Sequence, residues 1–600
     1  MRARAGHPAV WLDEIRQARR VLLHSAPMTT PAVEDLRHDS SPDGRRRRWR
    51  GRPRPDAVPQ GDWPDLAARL LALRGVTDAS GFLGAPGASP DPYVLPALDV
   101  AIERLMRAAR AGECVAVYGD FDVDGVTSAA QLSEALAAVG AVPVPYIPDR
   151  FSEGYGLNIP AIERLHRDGA TLLVTADCGT SSVVEVARAR ELGMDVIVLD
   201  HHTVPPVLPD ATALVNPRLD GATPGSMLEL ATAGLAFHVA AALHEAAGRP
   251  FDAEAYLDLA ALGTVCDMAP LVDENRRLLR TGLPALARTS RPGLRALMDV
   301  ARVDAASVSA EDIGYKLGPR LNAAGRIAHA KLALELLMTR DEERGRELAL
   351  ELDALNRQRQ EMTAQAVTLA TRMVEGGVLP PLIMIGHADF SSGVVGLIAS
   401  KLVNLYGRPA VVYEIGAETS RASCRSIDEF HITDALRAHA DLFERFGGHR
   451  AAAGFTVKNE RVDDVRACLI AEAERELAGR ELAPVLEIDC NLPLRQLRSE
   501  EIRWLARIGP FGVGNPEPTF MARNVTVVDA RIVGNGDKHL KLRLRDGGAT
   551  WNAIAFDMGD FAAEPGDRVD IVYCVAADGR ADAALEIRIE DMRAAGGAGG

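Results

Sequence analysis

The apolar residues of this chain change their spacing several times, and each change predicts an element of structure. Over residues 65–74 and 98–111 they recur at every third or fourth position, which is typical of amphipathic helices. From residue 114 short apolar runs alternate with helical patterns. The predicted strands cover residues 114–118, 142–147, 171–175 and 196–199, and the predicted helices between them cover 128–139 and 182–192. Strands that alternate with helices indicate a parallel sheet, so we predict a doubly wound α/β domain with helices on both faces.

The later patterns predict a second α/β unit and a small barrel. A long charged helical pattern runs over about residues 341–373, strands and a helix follow between 378 and 457, and five short strands with glycine-rich turns lie between 525 and 589. Five strands in so short a stretch favour an OB-type β-barrel. The predicted organisation is a basic disordered tail (1–60), a first α/β domain (61–335), a connecting helix (336–375), a second α/β domain (376–475), the barrel (483–592) and a disordered tail (593–600).

Composition narrows the class of protein but not its partner. The chain has 600 residues, of which 47% are apolar, and it contains no apolar run long enough to cross a membrane. Charges near the N-terminus argue against a signal peptide, so we expect a cytoplasmic protein that does not bind membranes. The seven cysteines form no CxxC pair, which argues against a zinc ribbon or a disulfide framework. The net charge of −15 does not exclude nucleic acid, because affinity depends on local basic patches.

A basic cluster near the N-terminus is one such patch. It contains seven arginines between residues 45 and 54 and has no sustained periodicity. We interpret it as a flexible tail, which is either a solvated linker or a source of non-specific attraction to phosphates.

The first candidate site is an acidic loop directly after the first predicted strand. Asp120, Asp122 and Asp124 occupy alternate positions, and such carboxylates repel one another unless cations lie between them. Hard oxygen ligands of this kind suit Mg²⁺ or Mn²⁺. The spacing also resembles half of an EF-hand, but Gln131 stands where that loop needs its final glutamate. No GK[ST] follows the glycines, which excludes a P-loop.

Ligand-type side chains follow two more predicted strands. Asp177 follows LLVTA, and Asp200-His201-His202 follows VIVL. Open α/β sheets bind ligands at the carboxyl ends of their strands, so these residues are expected to meet the acidic loop. Asp267 ends an apolar helical pattern and is either a turn residue or a further ligand. So many acids point to two Mn²⁺ or Mg²⁺ ions and to hydrolysis of a phosphoester or phosphoanhydride.

Two later segments are candidates for phosphate contacts. EDIGYKLGPRLNAAGRIAHA presents Arg320, Asn322 and Arg326 among small residues, which suits either phosphate binding or a solvated surface loop. In FGGHRAAAGF two glycines precede His449 and allow the backbone to approach a ligand closely, although this signal is weak alone.

Seven motifs together resemble the DHH phosphoesterase superfamily. They are VYGDFDVDGVTSA, IPDRFSEGYGLN, TADCGTS, VLDHH, ALGTVCDMAPL, LGPRLNAAGRI and FGGHRAAAGF, in that order. With the barrel they are most similar to the single-strand-specific 5′-to-3′ DNA exonucleases of this superfamily, over about residues 64–592. The resemblance implies a two-metal exonuclease that acts in DNA repair and recombination.

The resemblance also implies roles for individual residues. Asp122, Asp124, Asp177, His201 and Asp267 would coordinate the metal pair and, with His202, carry catalysis; Asp200 and His202 would ligate or support the metals, and Asp120 would lie behind the ligands. The phosphate path would include Arg320, Asn322, Arg326, Ser423, Arg425 and His449. One departure is Tyr118, which stands where some members of the superfamily have a histidine ligand.

Two other functions remain open from the sequence. One is a DHH-type hydrolase of short oligonucleotides or small phosphorylated molecules, although such relatives lack the barrel. The other is a non-catalytic relative that binds single strands, although every ligand position is filled here. The barrel itself either holds the strand or serves as a protein-interaction module. Expected partners are single-stranded DNA, a helicase and a single-strand-binding protein, and we expect a monomer.

Overall fold

The computed structural model describes residues 47–595, except 54, 56, 60, 62, 220, 222, 376, 377, 481, 535 and 578–584. Most of the predicted basic tail and the last residues, 596–600, therefore lie outside the described residues. Within the described part of the chain, no helix combines the length and the apolar character needed to span a bilayer.

A parallel sheet forms the centre of the first α/β domain. Its strands are β2 (Cys114–Gly119), β3 (Val142–Tyr146), β4 (Leu172–Ala176), β5 (Asp195–Leu199) and β6 (Ala213–Val215). They lie in the order β3-β2-β4-β5-β6, and every neighbouring pair is parallel. The carboxyl ends of the strands therefore share one edge. This confirms the predicted parallel sheet.

Alternate residues of the sheet pack into two separate apolar clusters, one on each face. Val115 and Val117 face one cluster, while Ala116 and Tyr118 face the other. The first face is covered by α3 (Leu98–Ala111), α4 (Val123–Val139), α7 (Thr232–Ala246) and α8 (Glu254–Cys266), and the second by α5 (Ile159–Arg167) and α6 (Val183–Glu191). Helices on both faces confirm the doubly wound arrangement.

The rest of this domain is helical. Its elements are α9 (Asp273–Ala287), α10 (Pro292–Ala301), a short turn (Ala310–Asp312), a π-helical turn (Ile313–Leu317), α11 (Gly318–Ile327) and α12 (Lys331–Met338). Helix α11 and the π-helical turn occupy the segment in which the sequence predicted a phosphate-binding or surface loop.

Helix α4 begins at Val123, whereas the sequence predicted its start at residue 128. The reason is that Asp122 caps the helix: its carboxylate accepts a hydrogen bond from the Gly125 N–H at 3.1 Å. An acidic residue at this position satisfies a free N–H of the first turn. Asp124 therefore lies within the first helical turn and is buried.

A single helix, α13 (Glu342–Glu375), connects the two α/β domains. Leu348 and Leu352 in its first half belong to the core of the first domain, whereas Ala370 and Val374 near its end pack into the second. The second domain contains β7 (Ile383–His387), β8 (Ala410–Ile415), β9 (Thr419–Arg425), β10 (Arg445–Gly448), β11 (Ala452–Lys458), α14 (Val395–Tyr406), α15 (Ile432–Arg437) and α16 (Val462–Leu477). Its strand order is β10-β11-β9-β8-β7.

A closed barrel follows the second domain. Its strands are β14 (Phe520–Val533), β15 (His539–Asp546), β16 (Ala549–Ala555), β17 (Arg568–Ala577) and β18 (Leu585–Ala594). They lie in the order β14-β15-β16-β18-β17, and a pairing of β14 with β17 closes the barrel as predicted. Two short strands and a helix precede it: β12 (Val485–Ile488), β13 (Cys490–Asn491) and α17 (Ser499–Ile508).

The N-terminal segment departs from the sequence prediction in two ways. Residues expected to be disordered form β1 (Arg48–Gly51), which pairs in parallel with β12. The indole ring of Trp49 is buried there and donates a hydrogen bond to Asp591 at 2.6 Å, so one aromatic residue orders an otherwise basic run. Helices α1 (Asp65–Leu73) and α2 (Ala79–Leu83) lie in the stretch that was assigned to the first domain, but they contribute their apolar faces to the barrel core.

Candidate metal centre

The carboxyl edge of the parallel sheet brings three acidic segments together. Gly119, Ala176 and Leu199 are register partners at the ends of β2, β4 and β5. The residues that follow them directly are Asp120, Asp177 and Asp200. The structure thus places the three segments side by side, as the pattern of strand ends predicts.

Seven of the predicted side chains form three overlapping groups in which one ligand atom from each residue lies within 4.8 Å of the others. The groups are Asp177 with His201 and His202, Asp124 with His201 and Asp267, and Asp120 with Asp122 and Asp177. Two oxygen ligands on opposite sides of one Mg²⁺ ion are separated by about 4 Å, so this spacing fits divalent cations. Because Asp177 and His201 each belong to two groups, the groups describe adjacent sites within one cluster.

His201 lies at the centre of the cluster. Its Nε2 atom is 3.3 Å from Asp177 Oδ1, 3.8 Å from Asp267 Oδ2 and 4.0 Å from Asp124 Oδ2. This nitrogen is buried and has no hydrogen-bond partner, and the same holds for Asp120 Oδ1. Buried polar atoms without a partner are uncommon, and His201 Nε2 lies directly among the other ligand-type groups. This nitrogen has the chemistry and the position of a metal ligand.

Hydrogen bonds within its own segment and from the loop after β4 occupy both oxygens of Asp200. Oδ1 accepts hydrogen bonds from the backbone N–H groups of His201 and His202 and lies 2.7 Å from His202 Nδ1, and Oδ2 accepts one from Thr180 N–H. The three ligand-type groups within the described residues do not include it. The structure therefore gives Asp200 the position of a support for His202, while Asp120, expected behind the ligands, belongs to one of these groups and has one oxygen without a hydrogen-bond partner.

The electrostatics of the cluster reflect crowded negative charge. Burial and the Asp122 charge raise the pKa of Asp124 to about 7, and burial with the charges of Asp124 and Asp122 raises the pKa of Asp267 to about 9. Burial, followed by neighbouring carboxylates, also raises the pKa of Asp120 and Asp177 well above the usual range. Divalent cations would reverse each shift, because they favour the ionised form of every carboxylate around them.

The pKa values of the two histidines are shifted in opposite directions. Burial and the neighbouring His202 lower the pKa of His201 to about 3, which leaves its imidazole neutral, as a metal ligand must be. Burial also acts to lower the pKa of His202, but the hydrogen bond and charge of Asp200 outweigh it and raise that pKa to about 9. The carboxylates and the neutral His201 imidazole fit Mn²⁺ or Mg²⁺, and bound cations would lower the pKa of His202 and favour its neutral form as well.

Backbone geometry fixes the acids in place. Asp177 has a φ of 69°, a strained value for a residue other than glycine, and Thr232 Oγ1 donates a hydrogen bond to its carboxylate at 3.0 Å. Both oxygens of Asp124 accept backbone N–H groups at the start of α7, from Thr232 and Ala233, at 2.8 Å. Strain that is held by such contacts is typical of functional sites.

The second α/β domain contributes His449 to the same place. This residue follows Gly448, whose φ of 142° favours glycine, at the turn between β10 and β11. Its ring is stacked against that of His202 at 6.2 Å, and its Nδ1 atom lies 3.3 Å from Thr203 Oγ1. The metal-type cluster therefore lies at a junction between the two α/β domains.

The other predicted phosphate contacts divide into two groups. Asn322 and Arg326 line a central cavity of about 1910 Å³ beside the cluster. Burial and the charges of Arg150, Arg359 and Arg425 lower the pKa of Arg326 to about 10, which shows that several guanidinium groups lie close together. Arg425 also donates a hydrogen bond to the Ser423 hydroxyl at 3.1 Å. Five of the six predicted phosphate contacts therefore lie near the cluster or the cavity: Asn322, Arg326, Ser423, Arg425 and His449.

Arg320 is the exception. Its Nε donates to Asp353 of α13 at 2.9 Å, and its Nη1 donates to the Lys316 carbonyl at 2.7 Å. The side chain is thus bound to the connecting helix, because α11 directs it away from the cavity. The structure does not bring Arg320 to the phosphate path that the sequence predicted for it.

Three family models match this chain: the N-terminal domain of the DHH family over residues 114–264, the DHHA1 domain over 374–475 and the RecJ OB domain over 488–591. The single-stranded-DNA-specific exonuclease RecJ of Salmonella typhimurium is 35% identical over 565 residues, a match that covers 88% of this chain and 96% of that protein. This chain belongs to the RecJ family.

Two further RecJ proteins support the same conclusion. The single-stranded-DNA-specific exonuclease RecJ of Bacillus subtilis is 38% identical over 516 residues, and the match covers 84% of this chain and 65% of that protein, just under two thirds of its length. The crystal structure of RecJ from Thermus thermophilus in complex with Mn²⁺ has a TM-score of 0.78 at 30% identity and covers 92% of this chain and 80% of that one. The Mg²⁺ complex from the same organism has a TM-score of 0.72. The resemblance predicted from the motifs is confirmed.

The site of this RecJ-family chain also includes residues that the sequence analysis did not single out. The Arg150 guanidinium lies 4.8 Å from the ring centroid of Phe121, inside the acidic loop, and the Tyr155 hydroxyl lies 3.3 Å from His202 Nε2. Both residues belong to the motif IPDRFSEGYGLN. The available signal was that this motif follows β3, whose carboxyl end shares the edge with the acids.

Proposed function

We propose that this chain is a metal-dependent exonuclease that hydrolyses phosphodiester bonds of single-stranded DNA from the 5′ end, in repair and recombination. The observation that carries the proposal is the junction itself. A metal-type cluster on the first domain meets His449 of the second domain beside a cavity of about 1910 Å³. Membership of the RecJ family supports the single-strand specificity, since the named relatives are single-stranded-DNA-specific exonucleases.

Asp120, Asp122, Asp124, Asp177, His201, His202 and Asp267 would hold two Mn²⁺ or Mg²⁺ ions, and Asp200 would position His202. When bound, such a pair neutralises phosphate charge and lowers the pKa of water, which supplies the nucleophile for phosphoester hydrolysis. The buried, unpaired atoms His201 Nε2 and Asp120 Oδ1 support this assignment.

The arginines around the acidic loop would hold the phosphate that is attacked. Burial lowers the pKa of Arg150 and of Arg326, whereas the negative charge of Asp122 acts to raise both values. Both guanidinium groups therefore lie near the acidic loop. Guanidinium groups bind phosphate oxygens through two parallel hydrogen bonds, which fixes orientation as well as position. Arg425 and Ser423 on β9 would complete this wall from the second domain, with His449 opposite the cluster.

The size and lining of the cavity favour a polymer over a small phosphorylated molecule. Pockets for small ligands measure about 300–1,000 Å³, and this cavity is larger. It is lined by Met268 and Arg326 of the first domain, Lys401 of the second, and Phe556 of the barrel, so a strand within it contacts all three units. Passage of one strand between these units would exclude a duplex. Stacking of bases on aromatic residues adds about 1–3 kcal/mol per base.

Replacement of Asp122 by asparagine tests the function. The Asp122→Asn variant keeps an oxygen to cap α4 but loses the charge, so we expect Mn²⁺-dependent cleavage to fall at least about 1,000-fold while folding and binding of single strands persist. The assay is digestion of matched single- and double-stranded DNA, labelled at either end, with Mg²⁺ and with Mn²⁺. Asp299→Asn, an exposed change on α10, is the control.

Wild-type-like cleavage by Asp122→Asn would contradict the metal assignment. Equal digestion of duplex by the wild type, or release from the 3′ end, would contradict strand preference or polarity. A preference for very short oligonucleotides over long strands would favour the alternative hydrolase. Delivery of the strand by a helicase or a single-strand-binding protein, action as a monomer and a cytoplasmic location remain predictions.

A further inference from the structure

Three arginines without an acidic partner lie close together at the central cavity, where two of them, Arg280 and Arg507, line the wall. Arg276 and Arg280 lie one turn apart on α9, and Arg507 lies on α17, the helix before the barrel. Within the described residues, none of the three forms an ion pair with a carboxylate. Arg276 donates to the Gly509 carbonyl at 2.8 Å, and Arg280 donates to the Phe82 carbonyl at 3.1 Å. Their positive charges are therefore not neutralised by the protein.

Aromatic rings, rather than carboxylates, orient two of these side chains. The Arg276 guanidinium lies 3.8 Å from the ring centroid of Phe82, and the Arg507 guanidinium lies 4.4 Å from that of Trp504. Such stacking fixes the plane of a guanidinium group but leaves its charge and its N–H edge available. The same combination of arginine and aromatic ring is common where proteins bind single-stranded nucleic acids.

Arg276 is the buried member of this cluster. Only 5% of the surface of Arg276 is exposed, and its Nε and Nη1 atoms have no hydrogen-bond partner. Burial and the charges of Arg280 and Arg74 lower its pKa to about 10, and burial with the Arg507 charge lowers the pKa of Arg280. Like charges one helical turn apart destabilise a helix unless an anion lies near them. The cluster therefore has an uncompensated positive potential that favours an anionic ligand.

The location of the cluster indicates which anion this is. Arg280 and Arg507 line the same cavity as Met268, the neighbour of Asp267 in the metal-type cluster. Helix α9 begins at Asp273, shortly after Asp267, and carries Arg280 along the cavity wall away from that cluster. Arg507 faces the cavity from the barrel side. A strand that extends from the metal centre toward the barrel would pass between these two side chains.

We propose that Arg280 and Arg507 each bind a backbone phosphate of the substrate strand beyond the nucleotides held at the metal centre, and that Arg276 beneath them strengthens the positive potential. This inference rests on the proposed function, because it assigns a further contact to the same substrate. Free nucleotides carry the same phosphate chemistry, so the experiment must separate the two sources.

The test is the binding of single strands to the double variant Arg280→Ala/Arg507→Ala, measured by fluorescence anisotropy in EDTA over a range of salt concentrations. Oligonucleotides of about four and about twenty nucleotides are compared, which brackets the known site sizes. We expect about tenfold weaker binding of the long strand and a loss of about 1.4 from the slope of log K against log salt, because each phosphate contact contributes about 0.7. Binding of the short strand should change less than about twofold, because it ends before this wall.

Two matched controls separate charge from folding. Arg280→Lys/Arg507→Lys keeps both charges and should retain the salt slope. Arg346→Ala removes an exposed arginine of α13 that lies outside the cavity and should bind like the wild type. If the double alanine variant does not fold, as judged by thermal unfolding, the single change at the exposed Arg507 is used, with an expected loss of about 0.7 in slope.

An unchanged salt slope for the long strand would overturn the proposal, and so would equal weakening for short and long strands, which would place the arginines at the metal centre. Competition by inorganic pyrophosphate that depends on these arginines, with an unchanged slope for DNA, would assign the site to free nucleotides and also overturn it. Failure of the wild type to cleave single strands would refute the proposed function separately. A failure confined to the variant slopes would refute only the added contact.

Discussion

Replacement of Asp200 by asparagine should separate support of the metal centre from metal binding itself. Asp200 is buried, and its carboxylate accepts hydrogen bonds from three backbone N–H groups and lies 2.7 Å from the Nδ1 atom of His202. Burial acts to raise its pKa, but the hydrogen bond and charge of His202 hold that pKa below the usual range. Its stabilising effect is therefore present at neutral pH and is lost only as the pH falls through the folded-state pKa.

The expected loss of stability follows from the individual contacts. An asparagine can keep its oxygen on the side of His201 and His202, where most donors lie, but its amide group then faces the Thr180 N–H. Leaving one buried donor unsatisfied costs about 1–3 kcal/mol. The remaining hydrogen bonds lose their charge, and charged hydrogen bonds are roughly twice as strong as neutral ones. We expect a total loss of about 2–4 kcal/mol in the free energy of unfolding.

Activity should fall by much less than in a ligand variant. Loss of a residue that orients a metal-binding histidine typically lowers activity about 10–100-fold. The assays are urea unfolding of the metal-free protein at pH 7 and cleavage of end-labelled single strands with Mn²⁺, with Asp299→Asn as the exposed control. Unchanged stability would refute the anchoring role of Asp200. Complete loss of cleavage without loss of stability would identify Asp200 as a metal ligand.

Three further predictions concern close contacts around the site. In Gly125→Ala a Cβ atom would lie 2.5 Å from a backbone nitrogen of the acidic loop, so we expect about 1–3 kcal/mol less stability in urea unfolding and strongly reduced cleavage; wild-type values would show that the loop adapts. In Gly393→Ala the new Cβ would overlap the Arg326 carbonyl oxygen and displace the second domain, which should lower cleavage by about tenfold or more while isothermal titration still detects Mn²⁺ binding. Arg320→Ala removes an ion pair with α13, so the midpoint of thermal unfolding should fall while the KM for single strands stays within about twofold. A large rise in KM would restore the predicted phosphate role.

The sheet and the position of the metal centre were predictable because both follow from local patterns. Parallel strands end at one edge, so Asp120, Asp177 and Asp200 had to lie near one another once the strands were recognised. Their separate roles were not predictable, because these depend on which oxygen atoms the backbone already occupies. The backbone N–H groups of Thr180 and of the VLDHH segment donate hydrogen bonds to the Asp200 carboxylate, whereas one oxygen of Asp120 has no partner.

The N-terminal strand shows that local composition alone does not always predict structure. A run rich in arginine predicts a solvated tail, but only Arg50 of the four residues of β1 is exposed. Trp49 changes the outcome, since its ring packs against Ile488 and Val572, which lie far away in the sequence. No local pattern contains those partners. Tertiary contacts therefore decided the structure of this segment.

The segment with Arg320 and Arg326 shows how a helix that the sequence did not predict changes the functional assignment of its residues. Considered as a loop, it could present both arginines to a phosphate. Considered as α11, it rotates about 100° per residue, so side chains six positions apart point in different directions, whereas Asn322 and Arg326, four apart, share a face. The structure agrees: Asn322 and Arg326 line the cavity, and Arg320 binds Asp353 of the connecting helix. One short helix therefore contributes to the wall of the cavity and, through its other face, holds the helix that positions the second domain. It follows that the placement of His449 and the position of Arg326 in the cavity wall depend on the same element.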